Sequence, residues 1–195
     1  MEVLPVDLPK LRSSSHSQQE IAERVNQAHL LSVSLQRGSE QLLAEYVCRQ
    51  GRPFGSADFP PAPAFPGLPS PSLSPEAWKH LSDAERLQQN VTAFSNLPEF
   101  LSAVKRQQKT LNPDASDLHR RLETVGWQCR GLANNLKSIM AALHLAPAPA
   151  PPVEPPNPDS SFAQKLFGYY LCQLCRDWAS RSEEDLTLLA AKYPL

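Results

Sequence analysis

Glycine is scarce in this sequence, 7 residues in 195, and none of them clusters into a phosphate-cradling loop. No stretch reaches the roughly 18 consecutive apolar residues that a membrane-spanning helix needs. Charge of one sign is missing too. Nineteen basic and 20 acidic residues leave a formal net charge of -1, so nothing draws the chain electrostatically to nucleic acid or an anionic membrane. The five histidines (His16, His29, His80, His119 and His144) are scattered with no partner at ligand spacing, so neither a metal site nor another cofactor is expected. No nucleophile motif sits at a strand-to-helix elbow, no strand pattern appears, and no catalytic residues are assigned: the chain does not read as an enzyme. Nor does the segment from Met1 to Gln18 hold the apolar core of a standard signal peptide. The chain is therefore cytosolic, leaves the cell by another route, or is a trimmed form.

Only four cysteines occur, Cys48, Cys129, Cys172 and Cys175. All four fall within helical patterns, which favours free thiols behaving as small apolar residues. Two bridges remain the alternative in an oxidising compartment. Cys172 and Cys175 have the spacing of a redox dithiol or half a zinc site, but they lie three turns into a helix and no second pair exists. Asn90-Val91-Thr92 has the form of a glycosylation acceptor, which matters only for a chain that passes through the secretory pathway.

Proline, by contrast, is abundant. Of 20 prolines, eight lie in Gly51–Pro75 and seven in Ala146–Asp159. Such density excludes helix and sheet and favours extended chain. The two segments read as linkers, with a proline-rich ligand for signalling domains as the other possibility.

The linkers divide strongly periodic blocks. Ser17 and Glu20 have the form of a capping box opening helix A, about 17–50, with Ile21, Val25, Ala28, Leu31, Leu35, Leu42 and Tyr46 on its buried face and Gly51 as its stop. Helix B, about 75–110, starts at Pro75 behind Ser74 and should kink at Pro98. Helix C, about 114–145, has the cleanest seam: Leu118, Leu122, Val125, Cys129, Leu132, Leu136, Ile139 and Leu143 alternate steps of four and three. Helix D, about 161–192, opens with a second capping box, Ser161 and Gln164. Its stripe is Phe162, Leu166, Tyr170, Leu174, Trp178 and Leu189, widened by Phe167 and Leu171 and interrupted by Asp185, which should lie near an exposed end. Residues 1–16 are expected to be a flexible N-terminus, and 17–193 one domain.

Loop length decides the topology. Helices of about 30 residues are about 45 Å long. Both proline linkers, extended at about 3.1 Å per residue, can cross that distance. The B–C turn, Leu111-Asn112-Pro113-Asp114, cannot, so B and C must be antiparallel neighbours. The expected fold is all-α: a long-chain four-helix bundle, up-up-down-down, with two long crossover loops.

On helix C, Arg120, Trp127 and Asn134 fall opposite the seam. An exposed tryptophan there suits a binding hot spot, and Gly131 beside it would leave room for a partner. Half-burial of Trp127 under a proline linker is the alternative. On helix D, Phe162 and Lys165 set an aromatic anchor beside a cation near a helix end. Alternatively Phe162 caps the core and Lys165 is merely solvated.

Three groups of residues resemble a known family. They are Ser39–Val47 followed by Gln50-Gly51-Arg52-Pro53-Phe54-Gly55, then Leu111-Asn112-Pro113 with Arg120-Arg121-Leu122-Glu123, then Arg176-Asp177-Trp178 with Ser180–Glu183 and Asp185-Leu186. Their sequence and order are similar to the cardiotrophins, within the leukaemia inhibitory factor and ciliary neurotrophic factor branch of the interleukin-6 family. The resemblance covers roughly Ile21 to Leu189. Cys48, Cys129, Cys175 and Trp127 depart from the family pattern.

The resemblance implies a secreted, receptor-binding cytokine, with a monomer expected. Its partners would be glycoprotein 130, the shared transducer, and leukaemia inhibitory factor receptor, with a third receptor chain left open and Janus kinase/STAT signalling downstream. Helices A and C would present the transducer surface, with Gln27 at a matching position and Arg24 one turn back. Phe162 and Lys165 would match the family's Phe-x-x-Lys motif for leukaemia inhibitory factor receptor. The competing reading is an intracellular helical scaffold whose proline-rich loops recruit signalling domains.

Overall fold

The structure is a computed structural model that describes residues 8–55 and 59–195. Its helices are α1 (Leu8–Gln50), α2 (Pro75–Lys79), α3 (Asp83–Leu111), α4 (Ser116–Ala142) and α5 (Ser161–Lys192), and the described residues contain no strand. None of these helices is long and apolar enough to cross a membrane.

Helix A starts earlier than expected. No breaker separates Leu8 from Ser17, and Pro9 falls in the first turn, where its missing N–H costs nothing. Ser17 is thus inside the helix and the Glu20 carboxylate pairs with Arg24, so the proposed capping box does not form. Of the segment expected to be flexible, residues 1–7 lie outside the described residues. Helix B is two helices. Ser74 caps α2 by accepting from the Ala77 amide at 3.1 Å. Ser82 then opens α3 with a complete capping box: its hydroxyl accepts from the Glu85 amide at 3.1 Å, and the Glu85 carboxylate accepts from the Ser82 amide at 2.7 Å. The chain continues as α3 on both sides of the buried Pro98. In α5 the cap is Ser160, one residue before the expected Ser161, and Gln164 donates instead to the Pro158 carbonyl at 2.9 Å.

Contacts between helices fix their directions. Along α1 and α4, Arg24 meets Ser138, Ser34 meets Gln128 and Gln41 meets Arg121. Along α1 and α5, His29 meets Glu183 and Tyr46 meets Lys165. Along α3 and α5, Asn90 meets Asp185, and the ring of Phe94 meets Trp178. Numbers rise on one helix as they fall on the other in every case. Helices α1 and α3 therefore run one way, α4 and α5 the other, and the short turn after α3 sets α4 antiparallel beside it. This is the up-up-down-down bundle.

The α4 seam from Leu118 through Ile139 is buried throughout. The α5 stripe is centred on the side of its expected widening residues, Phe167 and Leu171, with Tyr170, Trp178 and Leu189 buried as expected. Its buried line is Phe167, Leu171, Cys175, Trp178, Ser182, Asp185 and Leu189, while Leu166 and Leu174 are half-buried shoulders and Phe162 is exposed. Asp185 is buried, contrary to expectation. Its carboxylate accepts from Trp78 Nε1 at 2.6 Å and Asn90 Nδ2 at 2.8 Å.

The crossovers are bonded down. In the first, Phe65 enters the core edge-on against Phe100 and Phe167. The carbonyls of Pro60, Pro69 and Pro71 accept from Tyr170, Trp178 and Arg181, and Arg181 also stacks over the Trp78 ring, 4.6 Å from its centre. In the second, Gln88 accepts from the Ala148 amide and Gln107 donates to the Pro156 carbonyl. The two crossovers touch at Gly67, whose φ of +85° and closeness to Val153 leave no room for a side chain.

Candidate functional site

The C-terminus of α1 and the N-terminus of α5 share one end of the bundle, and exposed aromatic surface gathers there. Phe162, in the first turn of α5, is 53% exposed. Its ring centre lies 5.9 Å from that of Phe54, which is buried. Phe54 in turn meets Phe59 at 5.4 Å and Tyr169 at 5.9 Å, and Tyr169 meets Tyr170 at 5.8 Å. The result is an aromatic shelf with Phe162 at its outer edge. Lys165 is half-buried one turn on. Phe54, Phe59 and Tyr169 escaped sequence reasoning, although Phe54 lies in the quoted Arg52–Gly55 stretch; a proline-rich segment gives no periodicity from which to place it.

A buried polar network supports the shelf. Gln50 and Gln108 exchange hydrogen bonds at 2.8 and 3.2 Å. Asn112 donates to both, at 3.0 Å to Gln50 and 2.8 Å to Gln108. Gln108 also donates to the hydroxyl of Tyr46, which donates to the main-chain carbonyl of Lys165 at 2.7 Å. Burial is the first cause that pushes the Tyr46 phenol upward in pKa, so it remains a neutral donor.

The second set of candidates lies on the side of the bundle, where α1 and α4 pack. Gln27 and Asn134 are exposed, and Arg24 donates to the Ser138 carbonyl at 2.9 Å. Gly131 does not open space beside Trp127. A side chain there would press on Leu31 of α1, so the glycine serves the contact between helices. Trp127 is 62% exposed. It borders a groove of about 160 Å³ between α3 and α4, with Pro98, Leu101, Lys105, Glu123 and Arg130, and no crossover residue lines that groove. Arg120, exposed and 3.5 Å from Asp117, borders a larger α1–α4 groove with Arg37, Gln41 and Arg121. It stands eleven residues, about 16 Å, nearer the aromatic end than Gly131. The structure thus brings Arg24, Gln27, Gly131 and Asn134 together, and sets Trp127 and Arg120 apart from them on either side.

Two other sequence motifs carry no chemistry here. All four cysteines are free: Cys48 is exposed, and Cys129, Cys172 and Cys175 are buried. Burial drives the Cys129 and Cys172 thiols well up and Cys175 up to about 12, the opposite of a reactive thiolate. The described residues hold no group of three or more potential metal ligands. Asn90 is buried with its amide nitrogen bonded to Asp185 and the Arg86 carbonyl, so the folded chain offers no glycan acceptor there.

The family model for ciliary neurotrophic factor matches residues 22–194. Human cardiotrophin-1 is 39% identical over 187 residues, covering 91% of this chain and 90% of its own. Mouse cardiotrophin-1 is 39% identical over 173 residues, covering 84% and 83%. Mouse cardiotrophin-2 is 35% identical over 178 residues, covering 88% and 86%. A match running from the first turns of the bundle to its last, on a chain that folds as two parallel pairs with long crossovers, makes this protein a member of the ciliary neurotrophic factor family of helical cytokines, which are signalling ligands and not enzymes.

Proposed function

We propose that the chain is a secreted cytokine that joins glycoprotein 130 to leukaemia inhibitory factor receptor and so triggers Janus kinase/STAT signalling. The observation that carries this reading is Phe162, a large apolar side chain held out at the bundle's end on a shelf of packed aromatic rings, with Lys165 beside it. Exposed aromatic anchors on rigid supports supply most of the energy in protein interfaces. The α1–α4 side, with Gln27, Arg24, Asn134 and the neighbouring Trp127 and Arg120, is the proposed transducer surface. The scaffold alternative is less well supported, because main-chain carbonyls of both proline segments accept hydrogen bonds from the bundle and hold the segments against it.

The test uses each receptor ectodomain separately. The Phe162→Ala, Lys165→Ala double variant should lose leukaemia inhibitory factor receptor binding, keep glycoprotein 130 binding and compete with the parent chain. Trp127→Ala should do the reverse, losing about 2 kcal/mol or more in transducer binding with its melting temperature unchanged. Undiminished leukaemia inhibitory factor receptor binding by the double variant would remove the motif, and a large fall in melting temperature with transducer affinity intact would make Trp127 a structural residue.

A further inference from the structure

The opening of α5 is weakly held from within. Residues 161–166 are all exposed or half-buried; Leu166 packs against the edge of the core, and Phe167 is the first side chain of the helix to be fully buried. The first turn has the Ser160 cap and the Gln164 bond to Pro158, both to the loop that precedes it. Besides the packing of Leu166 and the contact of Phe162 with Phe54, an inward hydrogen bond holds this opening: the hydroxyl of Tyr46 donates from α1 to the Lys165 carbonyl at 2.7 Å. That carbonyl also lies in the helical ladder, so the phenol uses its second lone pair.

Packing alone does not require this hydroxyl. Tyr46 is fully buried, and phenylalanine would fill the same volume. A buried hydroxyl costs stability unless it is bonded. This one is bonded on both sides, to Lys165 and to Gln108, which is itself fixed by Gln50 and Asn112. One oxygen therefore links α1, the last turns of α3 and the start of α5. The phenol passes where Gly168 leaves space. A Cβ at that position would overlap the hydroxyl and the ring, so Tyr46 and Gly168 are two halves of one fitted contact.

We propose that Tyr46 is a positioning residue for the Phe162–Lys165 surface, fixing the first turns of α5 so that the aromatic edge and the cation are presented together. The proposal rests on the reading of that surface as the site for leukaemia inhibitory factor receptor. Tyr46→Phe keeps the ring and removes the tie. Its affinity for that receptor's ectodomain should fall roughly tenfold, in line with one lost buried hydrogen bond. Its affinity for glycoprotein 130 should be unchanged, and amide hydrogen exchange over residues 161–166 should quicken while that of α4 does not. A merely structural residue would move both affinities together. A double-mutant cycle separates the two claims: on a Phe162→Ala background, removing the hydroxyl should add little further loss. Unchanged receptor affinity in Tyr46→Phe, with Phe162→Ala impaired, would overturn the positioning role and leave the motif. No loss in either variant would overturn both. Fully additive losses would make Tyr46 an independent contributor to stability or binding and also overturn the proposal.

Discussion

Two aspartates at the end of the bundle remote from the aromatic shelf respond to acid in opposite directions. Asp185 sits among Trp78, Asn90, Arg86 and Arg181. Burial raises its pKa more than the two hydrogen bonds and two cations lower it. For Asp83, burial also pushes upward, but Lys192 and Arg86, each bonded to it and each charged, together hold it below the usual carboxylate range. A lowered folded-state pKa gives stability that is present above the unfolded value and lost as pH falls through the folded one. A raised pKa gives stability that is present below the unfolded value and lost as pH rises through the folded one. The destabilisation caused by Asp83→Asn should therefore shrink as melts are taken from about pH 7 to about pH 3, while that caused by Asp185→Asn should grow. Two trends of the same sign would refute the assignment. Neither environment was legible in the sequence. Asp185 interrupted an apolar stripe, and periodicity alone assigns such a residue to solvent. Its partner Trp78 is more than a hundred positions away, on a helix that exists only because Ser74 and Ser82 each start a new one.

Among the elements, boundaries were readable where a local signal governed them. The bounds of α5 and the stop of α1 at Gly51 agree with expectation, as does the complete burial of the α4 seam to Ile139. The break between α2 and α3 was also written locally, in Ser82-Asp83-Ala84-Glu85, but the apolar spacing across it is continuous and hid the cap. That cap can be measured. Ser82→Ala removes the hydroxyl acceptor and leaves the Glu85 amide without its partner, so the chain should lose about 1 kcal/mol in denaturant unfolding with an unchanged slope. A loss within error would show that Glu85 alone closes the α3 terminus. The aromatic shelf was beyond local reading. Phe54 and Phe59 belong to a proline segment without period, Tyr169 falls outside the expected α5 stripe, and Phe162 looked like a member of that inward stripe. Only the centring of α5 on its Phe167 side, with Trp178 and Phe167 filling the core, turns Phe162 outward.

At the scale of the whole molecule, loop length fixed the order of helices correctly, since one turn is too short to cross the bundle and two linkers are long enough. What length could not show is that the linkers are straps. Phe65 and Trp78 are buried, and the first crossover follows α5 from Tyr170 to Asp185. The same closed arrangement shuts three of the four thiols away. Cys129 of α4 and Cys172 and Cys175 of α5 are buried inside the bundle, and only Cys48 faces solvent. Alkylation stoichiometry therefore becomes a gauge of closure for a bundle whose four cysteines form no covalent brace. An iodoacetamide-treated native sample should carry one adduct per chain by mass spectrometry, at Cys48, and a denatured one four. Native material that takes up more than one would mean that the bundle interior opens on the timescale of the reaction.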